Sequence, residues 1–501
     1  MGLTANITYL KCGNSNQKHP LSFIDKLSLV IVVNYILFLI ISTLICYVYP
    51  KTFPANSFVA QFSLIKNFEK FIRVNRDAEF QKLKCIQGIR FYNMLLIIFF
   101  HTYTSYVGGY LENTEYLENL PKNIVKLGLR NFMLFLVQTF FLFSSFLMSY
   151  HFYQTVHNRN KFDVKVVLLT FLNRYFRILP PLAVLISMVT WIANFCDGPV
   201  KEIYSDVEYY NCKNNWWVSL LFINNHYKPG EMCYFTTWYL AADTQLYALS
   251  LVVLSIIWKY KKRANYILTF FVFIGIFASF ITSYVYNLDF IYRLTPENVK
   301  TNNFRSFFFN AVYSSTYTNM ATYMIGVWLG IVYYKSEKIG EYRKRRISFA
   351  FWLVLFAGLP IAVVIVSSFY YSRFAGALLS GILKPLYAMG IAVGIYGMSS
   401  GVGGYIKAVC EWKPVLILGN LTYCTYLVQI IVVFHRTATM RRPFYVSDFV
   451  LIKSFARDAI LSFTCGFFMH IFFEIPAANV KNLLLPRIRH QKNENNDKRT
   501  E

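Results

Sequence analysis

Charge is scarce in this 501-residue chain: only 15% of positions are charged, and the 25 Asp+Glu are half as many as the 50 Lys+Arg. That scarcity argues against a disordered polymer and against a string of ordinary soluble domains, both of which carry more charge. Cysteine is sparse as well, nine in the whole chain, which excludes a small disulfide framework. No fixed-period repeat or low-complexity tract is present from which to build a fibre. What abounds is apolar: 56% of residues are hydrophobic, 19% aromatic, and the mean hydropathy is +0.39. These residues fall in blocks of about twenty, the span an α-helix needs to cross a bilayer. The expected fold is therefore all-α and polytopic. A formal net charge of +25 would suit a nucleic-acid partner, but there is no soluble basic domain to present it, and the positive-inside rule explains it more simply.

Apolar windows lie at 27–48, 87–107, 129–150, 178–195, 237–258, 266–286, 311–334, 348–369, 382–399, 415–435 and 454–473, predicting eleven transmembrane helices. With the N-terminus outside, segments 51–84, 151–177, 259–265, 335–347, 400–414 and 474–501 become cytoplasmic and hold about 30 of the 50 Lys/Arg. The dense runs Lys259-Tyr-Lys-Lys-Arg263 and Arg343-Lys-Arg-Arg346 both fall there. The expected organisation is a short luminal or extracellular N-terminus (1–26), an extra N-terminal helix acting as a signal anchor (27–48), a cytoplasmic linker (51–84), a membrane domain (85–476) and a basic cytoplasmic tail (477–501).

Two further cues agree with an outside N-terminus. Asn6-Ile7-Thr8 is a glycosylation sequon, usable only on the luminal side. Cys196, Cys212 and Cys233 lie between the fourth and fifth windows, and Cys12 is on the same predicted side. In an oxidising lumen these four allow two disulfides, with three connectivities between which the spacing does not choose. The endoplasmic reticulum and the plasma membrane both fit.

Ionisable groups inside spans are costly and therefore informative. In the second window Arg90 and His101 are eleven residues apart, 1100° of helical rotation, so they share one face about 16 Å apart. Arg90 can meet a phosphate or carboxylate, and His101 can serve as a general base. Arg174 and Arg177 lie three apart at the cytoplasmic mouth of the fourth span, where paired guanidinium groups bind phosphate. In the fifth span Asp243 and Tyr247 share a face, and Asp243 could orient an imidazole or pair with Arg90. His435-Arg436 and Glu474 are lesser candidates, read as interfacial side chains that snorkel. No metal site is expected.

Taken together, these motifs resemble the acyltransferase-3 family of integral membrane acyltransferases. Arg90 and His101 match its Arg/Lys-x10-His hallmark, Arg174 and Arg177 its Arg-x-x-Arg, and Trp238, Leu240, Asp243, Gln245 and Tyr247 its Trp-x-Leu-x-x-Glu-x-Gln-x-Tyr stretch, with Asp in place of Glu. Asn215-Trp-Trp-Val and Leu421-Thr-Tyr-Cys-Thr-Tyr-Leu-Val are similar to its animal nose-resistant-to-fluoxetine branch. Two departures stand out: Gln429 where such proteins often have His, and Asn319 where Arg is expected before Gly326-x-x-x-Gly330.

The resemblance covers residues 80–476 and implies a ten-helix core. It implies transfer of an acyl group from cytoplasmic acyl-CoA, a co-substrate and not a resident cofactor, to a hydroxyl of a lipid or other acceptor. Under it His101, Arg90 and Asp243 are catalytic, Arg174 and Arg177 hold CoA phosphates, and Trp238, Gln245 and Tyr247 support the site. A lipid or small-molecule transporter and an inactive acyltransferase-like scaffold are the competing classes.

Overall fold

A computed structural model describes residues 18–54, 57–73, 77–119, 122–159, 163–293, 306–339 and 348–484. Asn6, Cys12, the Arg343–Arg346 run and the C-terminal tail lie outside the described residues. Among the described residues there are eleven long helices: α1 (Phe23–Val48), α2 (Cys85–Val107), α3 (Ile124–Arg159), α4 (Val164–Ile192), α5 (Trp238–Lys259), α6 (Ala264–Val285), α7 (Thr316–Ile339), α8 (Phe349–Ser367), α9 (Arg373–Ser399), α10 (Thr422–Ala438) and α11 (Asp448–Met469). Each falls on one of the apolar windows. The only strand-like pairing among the described residues is an isolated bridge, Leu111 to Phe444. The protein is an all-α, polytopic membrane protein.

Eight of these helices are long and apolar enough to cross a membrane, and α10 makes a ninth when joined to the helix Lys413–Gly419 across a 70° bend. The two that fall short, α2 and α7, are diluted by polar residues that point inward: Asn93 and Thr102 on α2, and Thr318, Asn319 and Thr322 on α7, are all buried. By contrast α1 is mostly exposed around its circumference, as a lipid-facing helix should be. Ser22 and Asp25 close a reciprocal capping box at its start.

Small residues let the helices approach closely. Gly326 and Gly330 on α7 face Ser145 and Ser149 on α3, where a Cβ on either glycine would collide with a serine hydroxyl. Gly390, Gly394 and Gly397 on α9 similarly accept Pro360, Phe356 and Trp352 of α8. α9 starts nine residues before its apolar window, where Arg373, Gly376, Ser380 and Gly381 dilute the hydropathy of its first turns. α3 extends beyond its window too, to 36 residues.

The segment between the fourth and fifth windows contains the helix Val207–Leu220, tied to the approach to α5 by a Cys212–Cys233 disulfide. Of the two bridges that the four cysteines allow, one, Cys212–Cys233, forms among the described residues. Cys196 is a free thiol, buried and donating to the Ile192 carbonyl. The reading of Arg436 as an interfacial snorkel is also corrected. It is 2% exposed and pairs at 3.0 Å with Asp458, itself 0% exposed. Asp458 accepts from Thr102 at 2.9 Å and Arg436 donates to Ser105 at 2.9 Å. This network clamps the C-terminal half of α2, just past His101, to α10 and α11.

Candidate functional site

The fourth helix turns Arg174 and Arg177 toward the bundle interior, where α2 supplies Arg90 and α5 supplies Asp243 and Tyr247. All five line one cavity of about 740 Å³. Arg174 forms an ion pair with Asp243 and lies over the Tyr247 ring, 4.7 Å from its centroid. The i,i+4 spacing of Asp243 and Tyr247 thus presents a carboxylate and an aromatic face to the same guanidinium. Arg90 has no carboxylate contact among the described residues and stands 5.7 Å from the Phe143 ring centroid.

Glu474 belongs to this cavity and not to the membrane interface. A π-helical turn, His470–Glu474, follows α11 and buries the carboxylate. Arg177 donates to it at 3.3 Å, His470 Nδ1 lies 2.7 Å away, and the Cys424 thiol donates at 3.1 Å. The donor atoms of Cys424, His470 and Glu474 all lie within 4.8 Å of one another, a composition that can ligate zinc. Here the geometry is that of a carboxylate ringed by three hydrogen-bond donors, with the Arg177 guanidinium as counter-charge.

His101 faces elsewhere. It lines a second, smaller cavity of about 60 Å³ with Phe100, Thr104, Trp238, Tyr313 and Tyr426. Sharing a helix face therefore did not bring Arg90 and His101 into one chamber. Tyr426 is the one residue that lines both cavities. Its hydroxyl donates to the Thr236 carbonyl at 2.8 Å, and its ring packs 5.5 Å from that of Tyr239.

Asp243 does not orient His101, because its carboxylate is committed to Arg174. The partner of the imidazole is Gln429, whose Oε1 lies 2.9 Å from His101 Nδ1. An amide oxygen only accepts, so Nδ1 carries the proton and Nε2 keeps its lone pair. Gln429 Nε2 is buried without a partner. Gln245 is absent from both cavity walls. It staples α5 to its surroundings, donating to the Phe222 carbonyl at 2.8 Å and Asn225 at 2.9 Å, and accepting from Thr316 at 2.5 Å. Trp238 packs against Tyr313 with ring centroids 5.1 Å apart.

Asn319 also has a compensating neighbour. Lys384 of α9 reaches it, donating to Asn319 Oδ1 at 3.1 Å and to the Val312 carbonyl at 2.8 Å. A cation thus occupies this region from a different helix. Residue spacing could not reveal Lys384, Gln429 or Glu474 as site neighbours, since each comes from an element far away in the chain. The signal available for Gln429 was its departure from the family pattern.

Comparison with known proteins agrees with this anatomy. A family profile described as an acyltransferase domain matches residues 83–477. Among curated proteins, Nose resistant to fluoxetine protein 6 of Caenorhabditis elegans is 22% identical over 470 residues, covering 86% of this chain and 54% of the relative. The chain thus spans about half the length of that relative. No solved structure matches.

Proposed function

The chain belongs to this acyltransferase family, and from that premise we propose that it transfers an acyl group from acyl-CoA to a hydroxyl of a lipid or other membrane-accessible acceptor. The observation that carries the reading is the arginine-lined cavity abutting, across the single ring of Tyr426, the pocket that holds His101. The first volume suits a large polyanionic donor, and the second suits a reacting centre shielded from bulk water.

In this reading the cavity with Arg90, Arg174 and Arg177 opens to the cytoplasm, in keeping with the basic segments predicted on that side. The donor's phosphates meet Arg177 and Arg90. Arg174 already has Asp243 as counter-ion and serves chiefly to order the wall. The thioester passes the Tyr426 ring toward His101. There the acceptor oxygen attacks the thioester carbonyl while His101 Nε2 takes the hydroxyl proton. The C–S bond then breaks as the ester C–O bond is completed, and the proton passes from the imidazolium to the departing CoA thiolate. Gln429 holds the ring in the tautomer this sequence requires.

Membranes bearing the protein, supplied with isotope-labelled acyl-CoA and analysed for labelled lipid, test the proposal. Transfer that is present with the wild type and lost in His101→Ala, at equal protein abundance, is the expected result. Equal labelling in the two would end the acyl-transfer role of His101. Labelled acyl-CoA crossing the bilayer unchanged would instead support a transporter.

A further inference from the structure

The charges lining the large cavity do not balance. Five cations face it, Lys70, Arg90, Arg174, Arg177 and Lys481, against two carboxylates, Asp243 and Glu474. Both carboxylates are taken, by Arg174 and Arg177 respectively. That leaves Arg90 and the two lysines, an excess of three positive charges (five minus two), without an acidic partner among the described residues. Like charges gathered at one cavity wall repel, and an anion bound among them relieves that repulsion.

The two lysines come from segments that lie outside the acyltransferase match at 83–477. Lys70 is in the helix Leu64–Ile72, ahead of α2, and Lys481 is in the helix Ile475–Leu484, which follows the π-helical turn. These two short helices are joined by hydrogen bonds: Lys70 Nζ donates to Asn479 at 2.7 Å, and Asn479 donates to Asn67 Oδ1 at 3.4 Å. Lys481 lies close enough to Lys70 and to Arg177 to be repelled by each. The chain therefore packs an added N-terminal helix against its C-terminal one in a way that concentrates positive charge at the cavity wall. Packing alone does not require that.

We propose that Lys70 and Lys481 form a binding site for a phosphate monoester dianion at the wall of the large cavity. Compact ammonium groups on flexible stems suit such a point-like dianion, whereas the guanidinium forks of the arginines suit the rest of a polyphosphate. Two molecules present this chemistry here: CoA, through its 3′-phosphate, and phosphatidic acid, through its headgroup. The CoA assignment rests on the donor reading above, and the phosphate site itself does not.

The test uses the full-length protein in phosphatidylcholine nanodiscs and compares binding of CoA with that of 3′-dephospho-CoA. We expect CoA to bind about tenfold more tightly, the scale of one or two charge-assisted hydrogen bonds. Lys70→Ala/Lys481→Ala should bring CoA down to the affinity of 3′-dephospho-CoA and leave the latter unchanged, while Lys→Arg at both positions should keep most of the preference. A second arm measures retention of phosphatidic acid relative to phosphatidylcholine by the same variants. Lysine-dependent retention of phosphatidic acid in place of a CoA preference would support the site and assign the phosphate to a lipid. Double-alanine protein whose ligand preference is unchanged in both arms, or that weakens CoA and 3′-dephospho-CoA equally, overturns the proposal. Neither arm involves turnover. Lysine-dependent binding by a protein without acyl transfer would sustain the phosphate site and remove the donor reading, and active protein indifferent to the lysines would do the reverse.

Discussion

His101 Nδ1 and Gln429 Oε1 lie 2.9 Å apart, joining α2 to α10 at the floor of the smaller cavity. If His101 is the general base proposed above, this pairing orients its ring as a carboxylate does in a His/Asp dyad, but with no charge. Gln429→Leu should lower kcat about 10- to 100-fold with little change in KM for acyl-CoA, since general-base catalysis contributes on that scale. Gln429→Glu, which keeps the acceptor oxygen, should recover a large part of the loss. Steady-state kinetics in nanodiscs decide the matter; equal activity in Leu and Glu variants would show that the acceptor is dispensable.

Tyr426 is the shared wall of the two cavities. Tyr426→Ala should merge them and broaden the range of acyl groups accepted, whereas Tyr426→Phe, which loses only the bond to Thr236, should retain the wild-type preference. Rates across a series of acyl-CoA chain lengths measure this. Identical profiles for the Ala and Phe variants would rule out a partitioning role for the ring.

The buried pair Arg436 and Asp458 is expected to be worth more broken than absent. Asp458→Asn strands a guanidinium at a site 2% exposed and should cost about 3–5 kcal/mol of stability. Arg436→Met/Asp458→Leu removes both charges and should cost less than the single change. Unfolding in detergent, followed by intrinsic fluorescence, ranks the variants. The order single above double in stability would contradict the account.

Close approach of α3 and α7 depends on Gly326 and Gly330. Gly330→Val drives side-chain carbon into Ser149 and the neighbouring backbone and should destabilise the protein by about 1–3 kcal/mol, the cost of overpacking. Gly230→Val, at a position with no neighbour within 4 Å of an added Cβ, is the control. Comparable melting temperatures for the two variants would mean that α3 and α7 separate without penalty.

Most of the fold was legible in the linear chain because a bilayer reduces the problem to locating apolar blocks of sufficient length. The eleven windows found the eleven long helices, and Gly-rich 382–399 missed only the first turns of α9. Helical periodicity also placed Asp243 and Tyr247 on a common face correctly, since that relation is local. It placed Arg90 and His101 on a common face with equal validity, yet aromatic packing around Tyr426 divides the space along that face.

What spacing could not supply is partner identity. For Asp243 the candidates were His101 and Arg90, and the packing of α4 against α5 assigned it instead to Arg174. Gln429 and Glu474 joined His101 and Arg177 from about 300 residues away in the chain, and Lys384 reached Asn319 from 65 residues away. Amino-acid order determined that this protein is a helical membrane bundle with an acyltransferase signature, because composition and helical periodicity act over a few turns. Which charges neutralise one another, and which are left facing the cavity, was decided by tertiary packing, since electrostatic pairing depends on distances of a few ångströms between elements that sequence separation does not encode.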